Sequence, residues 1–280
     1  MSGGSFKVAA IQMNCKARDK DVNIARALEL ITEAAKDGAK LMVLPELFTS
    51  GYYCFRTRDP TLFDEAETIP GPTTTAIGEI AKKYGVHVVA PIFEKTRMGV
   101  YFNSSPLIGS DGKVIGKYSK THIPLSLGVP EKYYFRPGSE FPVFKTGLGH
   151  IGIITCYDRI FPEPFRILAL KGAEIMAIPS TLYPNVEAKV SDDWEYIARA
   201  RAKENGVFAI FVNRSGEEEG LKYFGNSLIV DPSGKILARA GFEESVVTAN
   251  VNIWDVEQGR KRRFYMRDRR PEIYSRLVEP

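Results

Sequence analysis

The stretch His150-Ile151-Gly152-Ile153-Ile154-Thr155-Cys156-Tyr157-Asp158-Arg159-Ile160-Phe161-Pro162-Glu163 constrains this chain most. A glycine-bounded apolar run of strand type ends abruptly in a cysteine. A polar turn follows, and Phe161 to Leu170 reads as a helix. A strand that breaks straight into a helix belongs to an α/β layer architecture, where ligands gather beyond the carboxyl ends of strands. Cys156 would sit rigidly at a strand tip facing a cleft, and the helix N-terminus beside it favours a thiolate. The alternative is a small buried hydrophobe, as most free cysteines are.

The rest of the chain repeats this grammar. Phe6 to Met13 reads as a buried strand, and Asp19 or Asp21 can cap the helix that follows. In that helix Ile24, Ala27, Leu28, Ile31, Ala34 and Ala35 recur at helical spacing, and Gly38 ends it. Leu41-Met42-Val43-Leu44-Pro45 is a short continuous apolar strand, of the type buried on both faces. Gly71-Pro72-Thr73 opens a second helix that stops before Gly85, and Val86 to Phe93 reads as a third strand. Tyr101 to Ile108 and Lys113 to Lys117 form a hairpin around Ser110-Asp111-Gly112. Strand resumes at Ile151, helix at Phe161, strand at Glu174 to Ile178, helix from about Asp192 to Lys203, and strand at Val207 to Asn213.

A second hairpin, Asn226 to Arg239 around Asp231-Pro232-Ser233-Gly234, echoes the first, and Ser245 to Val251 is the last strand. Asn103-Ser104 through Gly112-Lys113 parallels Asn226-Ser227 through Gly234-Lys235, so the chain reads as two similar halves. No linker or composition break interrupts residues 1–280, which are expected to form one domain. The hairpins make the sheets mixed. Two packed sheets with helices outside fit the pattern as well as one doubly wound sheet.

Composition narrows the function classes. A net charge of +4 over 280 residues, much of it in one tail segment, gives no bulk argument for nucleic acid or membrane. Cys15, Cys54 and Cys156 are too sparse for a disulfide scaffold and fit a reducing compartment. There is no CxxC pair or histidine cluster of zinc-site type. The N-terminus lacks signal-peptide character and no apolar run has membrane-spanning length, so a soluble cytoplasmic protein is expected.

Three further residues can do chemistry beside a thiol. Glu46 follows the apolar strand ending at Pro45; a partly desolvated carboxylate there is a general base, whereas an exposed one is an ordinary surface charge. Lys120, in Gly116-Lys117-Tyr118-Ser119-Lys120-Thr121-His122, is either a solvated charge or a fixed cation for a developing oxyanion. Glu131 precedes the aromatics Tyr133-Tyr134-Phe135 and is either pinned among them or solvent-facing. His122 reads as structural.

Leu44-Pro45-Glu46, Tyr118-Ser119-Lys120-Thr121-His122 and Cys156-Tyr157-Asp158 through Phe161-Pro162-Glu163 resemble the three signature segments of the nitrilase superfamily of carbon–nitrogen hydrolases. The resemblance extends from the first strand to Arg269-Arg270-Pro271-Glu272-Ile273-Tyr274. It implies a four-layer αββα sandwich with two mixed β-sheets and flanking helices. It also implies a Glu46–Lys120–Cys156 triad, a second glutamate at Glu131, and an oxyanion held by Lys120 and the backbone N–H of Tyr157. The resemblance calls for no metal or organic cofactor. It suggests that residues 253–280 pack across a symmetric homodimer or larger homo-oligomer. Two positions depart from the usual pattern: Ile160 stands where many members carry arginine, and Ser119 stands where arginine precedes the lysine.

The substrate expected is a small linear amide. Gly51-Tyr52-Tyr53, His122-Ile123-Pro124 and Glu131-Lys132-Tyr133-Tyr134-Phe135 look most like N-carbamoylputrescine amidases, whose substrate is a cation. Arg159 instead looks like the arginine of N-carbamoyl amino acid and β-ureidopropionate hydrolases. A guanidinium pairs with a carboxylate and repels an ammonium, so a linear N-carbamoyl acid is expected. The alternative for Arg159 is a structural salt bridge with Asp158 or Glu163. Tyr53, Ser180, Thr181 and Tyr183 are candidate pocket contacts, and the segment to about Ser191 is expected to govern substrate choice. An aliphatic or ω-amidase uses the same triad; a nitrilase proper ranks below it, because the signatures read closer to the amidase branches. An interaction protein on the same scaffold is the non-enzyme alternative. Gly259-Arg260-Lys261-Arg262-Arg263-Phe264 is a basic run with no nucleic-acid-binding fold motif beside it, and no nucleic-acid partner is expected.

Overall fold

The computed structural model describes residues 4–52, 57–125, 130–183 and 190–279. The first half runs β1 (Ser5–Gln12), α1 (Lys20–Lys36), β2 (Ala39–Val43), α2 (Pro72–Tyr84), β3 (His87–Val89), β4 (Ile92–Arg97), β5 (Val100–Ile108), β6 (Val114–Ser119) and the short α3 (Glu131–Tyr134). The second runs β7 (Val143–Thr146), β8 (Gly149–Ile153), α4 (Pro162–Leu170), β9 (Ile175–Pro179), α5 (Val190–Asn205), β10 (Phe208–Val212), the ribbon β11 (Glu217–Glu218) and β12 (Leu221–Lys222), β13 (Leu228–Val230) and β14 (Ile236–Arg239). β15 (Ser245–Asn252) returns to the first sheet and α6 (Ile253–Arg263) begins the tail.

The expected strand Val86 to Phe93 proves to be two collinear pieces. Val89 pairs with Leu107 and Ile92 with Ser104, so β3 and β4 follow one register along the same edge of β5. Pro91 divides them because it has no N–H for the ladder. With that edge counted once, the first sheet reads β15-β1-β2-β3-β5-β6 and the second β7-β8-β9-β10-β13-β14. Each pairing in one has its counterpart in the other: antiparallel β15·β1 and β7·β8, then two parallel pairs, then two antiparallel ones. The hairpin echo in the sequence is thus the end of an internal repeat of a whole half-sheet.

Strand alternation sets the layers. Val8, Ala10, Leu41 and Val43 join Ile151, Ile153, Ala177 and Phe211 in one core that includes the space between the sheets. Their chain neighbours Ala9, Ile11, Met42 and Leu44 pack with Ala27, Ile31, Ile77 and Ala81 of α1 and α2. On the far side Phe165 and Leu168 of α4 and Trp194, Ala198 and Ala202 of α5 cover the second sheet. The result is a four-layer αββα sandwich. Asp19 caps α1 by accepting from the Val22 N–H at 3.2 Å, and Gly85 closes α2 with φ +62°. No helix among the described residues is long and apolar enough to cross a membrane.

Candidate active site

The carboxyl ends of the central parallel strands open on one side of the sandwich. β2 delivers Glu46, β8 delivers Cys156 and β9 delivers Ser180 and Thr181. Lys120 follows β6, and Glu131 begins α3. Cys156 opens a short 3₁₀ helix, Cys156–Ile160, with φ +50°, and Leu47 next to Glu46 also has φ +50°. Two non-glycine residues in the left-handed region flag held, costly turns at this site.

Glu46, Lys120 and Glu131 are fully buried and Cys156 is 4% exposed. Lys120 Nζ donates to Glu46 Oε1 at 2.7 Å and to Glu131 Oε2 at 2.8 Å. Asn103 Nδ2 donates to the same Glu46 oxygen at 2.8 Å, while Glu46 Oε2 is buried with no hydrogen-bond partner among the described residues. The Tyr52 hydroxyl donates to Glu131 Oε1. Cys156 Sγ lies 3.9 Å from the Thr181 carbonyl oxygen.

Charge in this dry pocket is unevenly shared. Burial disfavours the Lys120 ammonium, yet Glu131 and Glu46 hold its pKa well above the usual lysine value. Burial, and after it the Glu46 charge, push the Cys156 thiol up; Lys120 and Arg159 pull the other way and lose. This corrects the expectation of a thiolate favoured by a helix N-terminus. The expected helix forms as α4, but the 3₁₀ turn Cys156–Ile160 stands between it and a buried thiol. The Glu131 carboxyl is also raised, by burial working against its pairing with Lys120. Burial thus favours the thiol over the thiolate at Cys156.

Asp158 locks the lysine and cysteine segments together. Its Oδ2 accepts from the Tyr118 hydroxyl at 2.6 Å and the Thr155 N–H at 2.9 Å. Its Oδ1 accepts from the Thr121 hydroxyl and the His122 N–H, both at 3.0 Å, and lies 2.7 Å from His122 Nδ1. His122 also stacks on Phe161, with centroids 4.0 Å apart, which agrees with a structural role.

Arg159 makes no ion pair among the described residues, and neither salt bridge considered for it forms. Asp158 is committed elsewhere, and Arg159 Nη1 donates instead to the Cys156 carbonyl at 3.1 Å. Its Nε has no partner, its guanidinium lies 5.8 Å from the Trp194 ring, and burial lowers its pKa. The Tyr157 N–H lies in the first turn of the 3₁₀ helix, where an N–H has no intrahelical acceptor.

The pocket candidates fare unequally. The Thr181 hydroxyl donates to the Glu46 carbonyl at 2.9 Å, which ties it to the cluster. The Ser180 hydroxyl turns back to the Ile178 carbonyl at 3.4 Å, and its own carbonyl accepts the Glu46 N–H at 3.4 Å, so it braces the strand end. Half-buried Tyr183 packs edge-on against Tyr223 at 6.3 Å. Tyr53 and residues 184–189 lie outside the described residues.

Sequence reasoning missed Tyr52, Asn103 and Arg214. The last is fully buried and grips the backbone of the Glu46 turn. Only the paired Asn-Ser of the hairpin echo drew attention to Asn103. Among the described residues no group of three His, Cys, Asp or Glu side chains could hold a metal ion.

The sequence pattern of the family described as carbon-nitrogen hydrolase matches residues 7–261. The chain belongs to that family. This carbon-nitrogen hydrolase is 41% identical over 278 residues to a protein named nitrilase from Pyrococcus abyssi, covering 96% of this chain and 99% of that one. It is 35% identical to an N-carbamoylputrescine amidase of Solanum lycopersicum (97% and 94% covered) and 34% identical to a citrullinase of Francisella tularensis (98% and 98%). A solved carbon-nitrogen hydrolase from Helicobacter pylori G27 superimposes with a TM-score of 0.93 at 31% identity, covering 99% of each chain. An amidase from Nesterenkonia sp. AN1 does so at 0.82 and 25% identity, covering 99% of this chain and 98% of that one; a mutant of it shows covalent addition of the acetamide moiety of fluoroacetamide at its active site cysteine. The protein is thus an amidase-type hydrolase of carbon–nitrogen bonds.

Proposed function

We propose that this hydrolase decarbamoylates a linear N-carbamoyl acid through a thioester on Cys156. The observation that carries the reading is one buried cluster of Glu46, Lys120, Glu131 and Cys156, with the Arg159 guanidinium, which has no ion pair among the described residues, beside it.

A neutral thiol needs a base at the moment of attack. Glu46 takes the proton from Cys156 as sulfur bonds to the ureido carbon, and the carbonyl π electrons move onto oxygen. Lys120 and the Tyr157 N–H stabilise that oxyanion, and Glu131 keeps Lys120 charged and in place. The oxyanion collapses, the C–N bond breaks, and protonated Glu46 returns its proton to the leaving nitrogen as ammonia. Water then gives a proton to Glu46 and its oxygen to the thioester carbon. Sulfur leaves and recovers the proton, and the freed carbamate loses carbon dioxide to give the amine. Arg159 holds the substrate carboxylate through paired hydrogen bonds.

A second reading is a simple aliphatic or ω-amidase with the same residues in the same roles, and the likeness to the Nesterenkonia amidase favours it. Cys15 and Cys156 are both free thiols, which suits work in a reducing, cytoplasmic compartment. The active form is taken to be a homodimer or larger homo-oligomer.

The test is incubation of wild type and Cys156→Ala with N-carbamoyl-β-alanine, N-carbamoyl amino acids, N-carbamoylputrescine and simple amides, measuring ammonia and carbon dioxide together. Equal release of both from an acidic ureide, lost in the variant, supports the proposal. Ammonia alone selects the simple amidase. Preference for the cationic ureide removes the role given to Arg159.

A further inference from the structure

Arg214 follows β10 in the second sheet, yet its hydrogen bonds are largely with the turn that leaves β2 in the first. The two N–H groups of Nη2 are shared among the carbonyls of Glu46 at 3.0 Å, Leu47 at 2.6 Å and Ser50 at 2.8 Å. Nε donates to the Thr181 hydroxyl at 3.0 Å, and that hydroxyl in turn donates to the Glu46 carbonyl at 2.9 Å. Nη1 donates to Glu218 Oε1 at 2.6 Å, and the other oxygen of Glu218 accepts from the Tyr223 hydroxyl at 3.1 Å. Arg214 is wholly buried.

A buried turn carries carbonyls that no sheet ladder can satisfy, and each must find a donor. Here the turn is also held at φ +50° at Leu47, immediately after Glu46. One planar guanidinium supplies its donors in a fixed fork, which a lysine ammonium on a flexible stem cannot reproduce. Glu218 offsets the charge, so the cation can stay dry. Thr181 is the junction: its hydroxyl joins Arg214 to Glu46, and its carbonyl oxygen is 3.9 Å from Cys156 Sγ.

We infer that Arg214 is a positioning residue that holds the Glu46 turn and Thr181 in register with Cys156 across the gap between the two sheets. The inference rests on Glu46 and Cys156 acting as base and nucleophile. Arg214 touches neither the Glu46 carboxylate nor the thiol; it fixes the backbone from which Glu46 projects. Substrate binding is not its task. Its loss should therefore appear in kcat per active site and leave KM nearly unmoved.

The experiment compares wild type with Arg214→Lys, Thr181→Val and the double variant, with Cys156→Ala as control. Native chains are counted by circular dichroism and urea unfolding, each native chain is one site, and kcat is expressed per site. Arg214→Lys keeps the charge opposite Glu218 and loses the fork. It should leave one native site per chain, KM within about 2-fold, and kcat per site down about 100-fold, the loss that follows a misplacement near 1 Å. Thr181→Val should move kcat the same way, and the double variant should lose no more than Arg214→Lys alone, because both act through one chain of bonds.

A merely structural arginine would lower the number of native sites and leave kcat per site at the wild-type value; that result overturns the inference. So does a loss confined to KM, or losses that multiply in the double variant. Should Arg214→Lys fail to fold, Thr181→Val decides alone, and an unchanged kcat per site overturns the inference. Activity surviving in Cys156→Ala would sink the mechanism itself, a different failure from an inactive Cys156→Ala beside a fully active Arg214→Lys.

Discussion

Replacing Glu46 by Gln removes a negative charge from beside a thiol and leaves the cations Lys120 and Arg159 in place. Glu46 is one of the causes raising the Cys156 thiol, and those two cations are the ones lowering it. The sign is fixed: in Glu46→Gln the thiol ionises at lower pH than in wild type. The midpoint of the pH profile for iodoacetamide alkylation should fall, while kcat falls roughly 10²–10⁴-fold for want of a base. A midpoint that stays put or rises would remove Glu46 from the thiol's surroundings. Arg159→Gln makes a second claim on the same pocket: KM for an acidic ureide should rise about 10-fold or more with kcat little changed, as loss of a charge-assisted contact dictates. An unaltered KM would return Arg159 to a packing role. Glu46, Lys120, Glu131 and Cys156 could be joined in one expected site because their motif segments resemble those of a known family; singly, each also fitted a surface charge or a packed core residue. Tyr52, Asn103 and Arg214 were not legible. Tyr52 reaches Glu131 across 79 residues and Arg214 reaches Glu46 across 168, and no local pattern carries such distances.

Elements meet here through single atoms that admit no substitute. A Cβ added to Gly78 in α2 would lie 2.4 Å from the Gly112 carbonyl oxygen, so the helix rests directly on the β5–β6 turn. Gly78→Ala must push the two apart and should cost about 1–3 kcal/mol, read as a lower urea midpoint at constant m-value. A change under about 0.5 kcal/mol, the scatter of surface substitutions, would mean the helix sits farther off. Asp158 joins β6 to the cysteine turn more strongly. Asp158→Ala strands the Thr155 N–H and the Tyr118 hydroxyl, and should cost roughly 3 kcal/mol by the same measurement. At this scale the sequence was read well wherever a cap or glycine marked an end, as at Asp19 and Gly85. It was misread at Val86 to Phe93, because Pro91 stands in an unbroken apolar run and the ladder resumes beyond it in the same register. β7 and α3 escaped notice because four-residue elements are too short for periodicity to show.

Two half-sheets of one topology place the chain's last strand, β15, back beside its first, and that return leaves α6 and the following turns on the outside. Much of the tail's basic run is spent on the chain itself: Arg260 Nη2 donates to the Ala173 carbonyl at 2.6 Å, Arg263 Nη1 to the Pro232 carbonyl at 2.5 Å, and Lys261 pairs with Glu257. The tail also exposes apolar side chains, Trp254 53%, Ile273 65%, Leu277 69% and Val278 86%, among exposed charges such as Arg267, Arg270 and Arg276. A cavity of about 710 Å³ runs beside it, lined by Arg166, Leu170, Tyr274 and Leu277 among others. Leu277 and Val278, exposed at the rim of that cavity, are apolar side chains that a partner could cover. A second copy is the proposed cover, as the resemblance suggested from sequence; periodicity could locate the tail but not what lies against it. Sedimentation should then give a mass twice the 31.3 kDa of one chain, and removal of residues 264–280 should return it to one. The salt response separates the contacts. Apolar burial is not screened, so the dimer should persist at 1 M salt, whereas an assembly bridged through the arginines by phosphate or carboxylate groups would dissociate. A full-length chain that sediments as a monomer at micromolar concentration would leave these side chains uncovered and end the dimer reading.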